Sequence, residues 1–276
     1  MPELPEVEVT RRGLLPHLPG HRITAVHWSN KRLRTPMPRK HLKAHIENHT
    51  VLTIDRRAKY LLIRADNGSV LVLHLGMTGK LGLFPAAAPR AKHDHLFLRL
   101  DNDIELRFND SRRFGSIIVW PAEQSDQLEE AFTAGKGIEP FSASFTMENL
   151  LALARNKRQP VKAFLMNSKM IAGIGNIYAN ETLFDAGIAP ETTVNQITEK
   201  EWQQIILSCR MILKKAIEAG GSTISDFLGS SGQPGYFQLQ LLVYDRAGEA
   251  CKGCGALIEK KALAGRATYF CPRCQF

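Results

Sequence analysis

No stretch of this 276-residue chain approaches the roughly 18 consecutive apolar residues of a membrane-spanning helix, and no charged-then-apolar leader opens it. Both absences predict a soluble, cytoplasmic protein with no membrane partner. Cysteine is scarce: there are five, four of them gathered near the C-terminal end. Acidic residues are in deficit, with 27 Asp and Glu against 36 Lys and Arg, a net charge of +9. That deficit favours a polyanionic partner, nucleic acid first and an anionic membrane surface second. What the chain does have is a globular balance, 44% hydrophobic and 23% charged, which excludes disorder. Its length fits two ordinary domains of about 150 residues each.

The positive charge is unevenly spread. Residues 1–60 carry 12 basic and 5 acidic groups, and residues 151–170 carry five basic groups and no acid. Residues 246–276 are basic again, whereas 121–150 and 171–245 are acidic. Three separated basic segments are suited to converge on one groove.

A first helix is predicted to begin near Pro5 and to run toward Gly20. Short β-branched or aromatic runs follow at Ile23–Trp28, Thr50–Ile54, Tyr60–Arg64, Val70–Leu75, His95–Leu100, Ile104–Phe108 and Ser116–Trp120. Their number and spacing predict a sandwich or barrel rather than a parallel sheet. Residues 121–150 read as a linker and a first helix. Helical periodicity then marks Met147–Ala154, Val161–Met166, Asn176–Gly187 and Glu199–Ala219. A Gly- and Ser-rich loop covers 220–237, and from Gln238 strand character returns around the cysteines. The fold expected is α+β. An N-terminal helix plus antiparallel β-sandwich (1–125) precedes a helical domain (126–237) and a C-terminal hairpin (238–276).

Cys251-x2-Cys254 and, after sixteen residues, Cys271-x2-Cys274 place two thiolates on each of two tight turns. Joined by a hairpin they form a tetrahedral S4 site for one structural Zn²⁺, with no open coordination position. Two disulfides are the competing arrangement, disfavoured without an export signal. Cys209, within an apolar helical run, reads as an inert core thiol. Arg266 follows Gly265 at the predicted hairpin tip, where it can project toward a partner; Lys260 and Lys261 fit a solvated face equally well.

At the other end, removal of Met1 would expose the secondary amine of Pro2 beside Glu3 and Glu6. An α-amino group with a pKa of about 7.7–8.0 is partly unprotonated at neutral pH and can attack an electrophilic carbon. Condensation with an aldehyde gives a permanently cationic iminium, an electron sink beside which Glu3 can move protons. On three residues alone, an ordinary chain start is the simpler reading.

Met1-Pro2-Glu3-Leu4-Pro5-Glu6-Val7-Glu8 with Arg11-Arg12-Gly13 resembles the start of the formamidopyrimidine-DNA glycosylases. The likeness continues through Arg56-Arg57-Ala58-Lys59-Tyr60-Leu61, His74-Leu75-Gly76-Met77, Lys92-His93-Asp94-His95 and Arg112-Arg113-Phe114-Gly115. It closes with Gly173-Ile174-Gly175-Asn176-Ile177-Tyr178, Gly232-x-Pro234-Gly235-Tyr236-Phe237 and the ribbon's Gly265-Arg266.

The resemblance implies a bifunctional DNA glycosylase and AP lyase, without redox cofactor or catalytic metal. It would act as a monomer on duplex DNA holding a damaged base, preferably opposite cytosine. Pro2 would be the nucleophile at C1′, Glu3 the proton donor, Lys59 the residue of base release and β-elimination, and Arg266 a phosphate ligand aiding δ-elimination. Met77, Arg112 and Phe114 would fill the space of the extruded base, although by residue type alone they are ordinary core fillers and a surface charge. Further DNA contacts implied are Glu6, His74, His93, Lys157, Lys162, Asn176, Tyr178 and Ser222, with Asn176 in a helix–two-turn–helix. Pro160 and the segment around Lys157 depart from the lysine-rich pattern of relatives. The 220–237 loop and Leu4 favour oxidised purines, 8-oxoguanine and formamidopyrimidines, over the oxidised pyrimidines of the related endonuclease VIII branch. A non-catalytic zinc-ribbon DNA binder is the alternative from another class, and the joint presence of Pro2, Glu3 and Lys59 argues against it.

Overall fold

Alternation of apolar residues builds the first half of the chain. Leu61 and Ile63, Leu71 and Leu73, Leu96 and Leu98, Leu106 and Phe108, and Ile117 and Val119 all point into one shared core. Each pair is two residues apart, the period that sends side chains to one face of a strand. The computed structural model describes residues 2–124, 127–128, 130–131, 135–220 and 241–276.

Helix α1 spans Leu4–Leu14 and buries Val7 and Leu14 in that core. It stops short of Gly20 because Pro16 has no N–H to extend the ladder. Eight strands follow: β1 (Ile23–Trp28), β2 (Val51–Arg57), β3 (Tyr60–Ala65), β4 (Val70–His74), β5 (Lys80–Pro85), β6 (Asp94–Leu100), β7 (Ile104–Asn109) and β8 (Ser116–Trp120). They form two antiparallel four-stranded sheets, ordered β1-β6-β7-β5 and β2-β3-β4-β8. Strand β5 was not expected, since Gly82 and Pro85 dilute its strand signal. Its position at a sheet edge accommodates a proline. The short helix α2 (Arg39–His45), which buries only Leu42, was also not expected.

The second half is helical: α3 (Met147–Ala154), α4 (Val161–Met166), α5 (Asn176–Asp185) and α6 (Glu199–Gly220). Helix α5 ends at Asp185 rather than Gly187. Gly187, at φ +74°, turns the chain out of the helix, and the Ile188 N–H bonds back to the Leu183 carbonyl. The rings of Phe164 on α4 and Trp202 on α6 meet in a T-shaped arrangement with centroids 5.5 Å apart. Strands β9 (Glu259–Leu263) and β10 (Arg266–Phe270) complete the chain as an antiparallel hairpin. Among the described residues of the C-terminal segment, strand structure begins at Glu259, not at the Gln238 end.

Backbone contacts divide the chain into two units, Met1–Thr133 with Ile217–Phe237, and Ala134–Ala216 with Gln238–Phe276. The hairpin and helices α3–α5 therefore share one unit. The Gly- and Ser-rich loop beyond Gly220, including Ser222, lies outside the described residues.

Candidate active site and nucleic-acid interface

In the first unit, Glu3 caps α1. Its N–H donates to the Glu6 carboxylate at 2.8 Å, and its own carboxylate accepts from the Glu6 N–H, a reciprocal capping box. Glu3 is only 1% exposed, while Pro2 beside it is half-buried. The same helix carries Glu8, whose carboxylate gathers Arg11 (2.8 Å), Arg12 (2.9 Å) and Arg56 (3.3 Å). Burial raises the Glu8 pKa, but the hydrogen bonds of Arg11 and Arg12 outweigh it and hold the carboxyl below its ordinary value. Arg56 in turn donates to the Ala58 carbonyl at 3.0 Å. Ala58 and Lys59 form the two-residue connection of the β2–β3 hairpin, Ala58 buried at φ +53° and Lys59 half-buried. A chain of ion pairs and a hydrogen bond thus joins α1, which directly follows Pro2 and Glu3, to the turn that presents Lys59.

Tyr60 and His74 follow on adjacent strands with ring centroids 4.7 Å apart, and the His74 Nδ1 accepts from the Gly76 N–H at 3.1 Å. The turn after His74 brings Met77 beside the loop that carries Arg112 and Phe114. Gly76 makes this approach possible: at φ +68°, a Cβ there would lie 2.5 Å from the backbone of Phe114 and Gly115. Met77 and Phe114 stay 39% and 44% exposed, and the Arg112 guanidinium lies over the Phe114 ring at 4.8 Å. Two apolar tips and a cation are therefore displayed together. His93, half-buried, contributes its carbonyl to the Asp110 N–H of the same loop.

In the second unit, α4, two turns and α5 form the helix–two-turn–helix. Two expected DNA contacts are placed differently there. Lys162 is 1% exposed, and its ammonium is engaged under the hairpin, donating to the Ala267 carbonyl at 2.8 Å and the Thr268 hydroxyl at 2.7 Å. Burying an ammonium requires such partners, so Lys162 holds the hairpin instead of facing solvent. Tyr178 on α5 is also 1% exposed, buried rather than at a surface. Asn176, at the start of α5, donates to the same Ala267 carbonyl at 3.0 Å, while its Oδ1 is buried without a partner. Lys157 is half-buried just after α3.

Arg266 is exposed at the first position of β10. The turn before it, Ala264-Gly265, has φ of +49° and +71°, the paired left-handed geometry of a type I′ hairpin. Behind the hairpin, Glu181 on α5 accepts the N–H groups of Leu242, Val243 and Tyr244 at 2.8–3.0 Å. Asn180 accepts from the Tyr269 N–H at 3.0 Å.

The Sγ atoms of Cys251, Cys254, Cys271 and Cys274 all lie within 4.8 Å of one another. Two of the separations are 3.9 and 3.4 Å, near the edge of about 3.8 Å of a tetrahedron with Zn–S of about 2.3 Å. The Ala256 N–H and the neighbouring thiols bring Cys254 down to about 7. Hydrogen bonding to Cys254, with burial, pushes Cys274 up to about 12. Four thiolates do not ionise together in so small a volume unless a cation supplies the missing charge, so the cluster fits Zn²⁺. Cys209 is fully buried and pushed up to about 12 by desolvation, an inert thiol.

Three family descriptions match in order: the formamidopyrimidine-DNA glycosylase N-terminal domain over 1–117, its H2TH domain over 136–228, and the zinc finger found in FPG and IleRS over 248–275. The chain belongs to the formamidopyrimidine-DNA glycosylase family. The glycosylases of Stutzerimonas stutzeri (strain A1501) and Pseudomonas fluorescens (strain SBW25) are each 44% identical over the full length of both chains. A Lactococcus lactis Fpg in complex with abasic-site DNA superimposes with a TM-score of 0.86 at 36% identity, covering 99% of each chain. The same enzyme with an oxidised-pyrimidine DNA gives 0.87 at 37%, also over 99% of each. In this glycosylase the four cysteines are the family's zinc finger and hold one structural Zn²⁺. Residues that sequence reasoning did not single out for the site are Glu8, Thr78, Asp110 and Glu181. Only Glu8 left a signal, its spacing of three and four from Arg11 and Arg12.

Proposed function

We propose that this glycosylase removes oxidised purines, 8-oxoguanine and formamidopyrimidines, from duplex DNA and then cleaves the strand at the resulting abasic sugar. The observation that carries the proposal is the end-to-end match to the family together with Pro2 and Glu3 at the capped start of α1. Unprotonated Pro2 nitrogen attacks C1′. The C1′–base bond breaks as the N–C1′ bond forms, and the leaving base takes up the proton that the Pro2 N–H gives up, which returns a lone pair to the nitrogen. Glu3 protonates the sugar ring oxygen, the ring opens, and the nitrogen lone pair completes the iminium. The iminium acidifies the C2′ hydrogen. Lys59 accepts that proton as the 3′-phosphate departs, and transfer of the C4′ proton to water then expels the 5′-phosphate, which Arg266 binds. Water hydrolyses the iminium and frees Pro2, leaving a one-nucleotide gap. The Zn²⁺, with four cysteine ligands, supplies structure to the hairpin that bears Arg266.

Met77, Arg112 and Phe114 occupy the gap left by the extruded nucleotide: Phe114 wedges a base step, Met77 fills irregular space, and Arg112 hydrogen-bonds the widowed cytosine. Glu6, His74, His93, Lys157, Asn176 and the undescribed Ser222 remain contact sites by family position. Lys162 and Tyr178 support the interface from beneath. The protein acts as a cytoplasmic monomer, bound to the nucleoid when on DNA, and its binding weakens steeply with salt as counterions are released.

Borohydride trapping on duplex DNA with one 8-oxoguanine opposite cytosine, followed by mass mapping, tests this. The expected adduct is on residue 2 of a chain lacking Met1. Binding without adduct or nicking would mark a non-catalytic binder, and trapping only on oxidised pyrimidines would move the enzyme to the endonuclease VIII-like branch.

A further inference from the structure

Met77, Arg112 and Phe114 are exposed, yet the loops that carry them are not free. Both converge on Asp110, whose side chain is fully buried at the end of β7. One carboxylate oxygen accepts the Thr78 hydroxyl at 2.6 Å, and the other accepts the Gly115 N–H at 2.8 Å. The Thr78 hydroxyl, having donated to Asp110, accepts the Arg112 N–H at 3.1 Å. Thr78 directly follows Met77, and Gly115 directly follows Phe114. One carboxylate and one hydroxyl therefore reach the backbone next to, or at, all three exposed residues.

The frame behind Asp110 is also held. Its N–H donates to the His93 carbonyl at 2.9 Å, and its carbonyl pairs with the His95 ring at 2.9 Å. The His95 ring pairs with the Ser29 hydroxyl at 2.8 Å on its other nitrogen. Gly79 closes the Met77 turn by donating to the Leu75 carbonyl at 2.8 Å. Between Arg112 and Phe114, Arg113 sits at φ +58°, the left-handed region that is unfavourable for a residue with a Cβ. The hydrogen bonds from Arg112 to Thr78 and from Gly115 to Asp110 brace that turn on both sides.

We propose that Asp110, acting through the Thr78 hydroxyl, is the positioning residue that presets Met77, Arg112 and Phe114 and thereby governs discrimination of the base opposite the lesion. This rests on the reading that these three residues enter the duplex. A loop fixed before binding loses less freedom on insertion, and an Arg112 held in register distinguishes cytosine from adenine more sharply than a mobile one.

The test compares wild type, Thr78→Val, Thr78→Ser and Asp110→Asn on 8-oxoguanine opposite cytosine and opposite adenine. A 2-aminopurine beside the lesion reports insertion, and thermal melting reports folding. Thr78→Val removes the hydroxyl at nearly constant volume, while Asp110→Asn puts an amide donor where an acceptor is required. Each is expected to lower the cytosine-to-adenine ratio of kcat/KM roughly three- to tenfold, with a weaker or slower 2-aminopurine signal. Thr78→Ser, which keeps the hydroxyl, is expected to restore both. Wild-type discrimination surviving in Thr78→Val and Asp110→Asn would overturn the relay. So would equal losses on both opposite bases, which is what a purely structural role gives. If Thr78→Val does not fold, Asp110→Asn and Thr78→Ser decide by the same ratio. Wild type without any cytosine preference or insertion signal would instead sink the insertion reading beneath the proposal.

Discussion

Two hairpins of this chain each present a basic residue at a two-residue turn, and they are secured by different means. The β2–β3 turn carries Lys59 within a four-stranded sheet backed by the large apolar core. There the polar ties, Glu8 to Arg56 to the Ala58 carbonyl, aim a tip whose strands are already stable. The β9–β10 hairpin carries Arg266 directly after its turn, on two strands alone, packed on a small cluster of Val243, Cys251, Ile258, Tyr269 and Cys271. An isolated two-stranded hairpin is marginal in water, so the four-thiolate zinc site and the donors Lys162 and Asn176 must hold the fold itself. Where apolar area is plentiful, charge serves to position. Where it is scarce, charge and metal provide the structure.

The largest effect expected from this contrast is at the zinc site. Chelation, or Cys254→Ser, removes a folding contribution that is about 10–16 kcal/mol in small zinc-binding units, and the ribbon unfolds. Limited proteolysis should then cut within 246–276 and duplex binding should be lost, while calorimetry still shows a cooperative transition from the β-sandwich. A ribbon that resists proteolysis after chelation would mean that Lys162, Asn176 and Glu181 suffice, and the contrast would fail.

A smaller effect is expected at Glu8. Its carboxyl is held below the ordinary value of 4.5, so its stabilisation is fully present above about pH 4.5. It is lost as pH falls from there through the depressed folded-state value. Glu8→Gln should cost about 1.5–3 kcal/mol at pH 7, the range for hydrogen bonds to a charged group. It should also flatten the decline of stability below pH 4.5. A melting series from pH 7 to pH 3 checks both signs. An unchanged acid limb would show that the relay contributes nothing beyond the sheet.

The smallest effect separates the turns themselves. Ala264 at φ +49° is exposed, so Ala264→Asn should supply the residue a type I′ turn favours and stabilise the ribbon by under about 1 kcal/mol. Ala58 has nearly the same φ but is buried, so Ala58→Asn should destabilise by burying an amide. Urea denaturation of the two variants should give shifts of opposite sign; shifts of the same sign would mean that burial does not distinguish the turns.

Much of this was legible beforehand, for reasons that differ by element. The strands of the sandwich announce themselves because alternation is a local pattern, whereas β5 is hidden by Gly82 and Pro85 at a sheet edge that tolerates them. The cysteine pairs are legible because each pair is itself a local turn. Lys162 and Tyr178 carry no such mark. A lysine in a basic, acid-free run looks solvated until the Ala267 carbonyl and Thr268 hydroxyl are found above it. Asp110, in an Asn-Asp-Ser stretch, reads as an ordinary polar turn, and its burial depends on a hydroxyl 32 positions away.

The sequence by itself determined the α+β class, the four zinc ligands, the family, and Pro2 and Glu3 at the start of the first helix. Each of these is written in neighbouring residues or in motifs at short spacing. Only the tertiary structure decided which buried polar group answers which. Glu8 meets Arg56 across 48 positions and Lys162 meets Ala267 across 105. The physical reason is desolvation: a charge removed from water must be met by whatever donor or acceptor the folded chain brings within reach, and only the packed backbone specifies that partner.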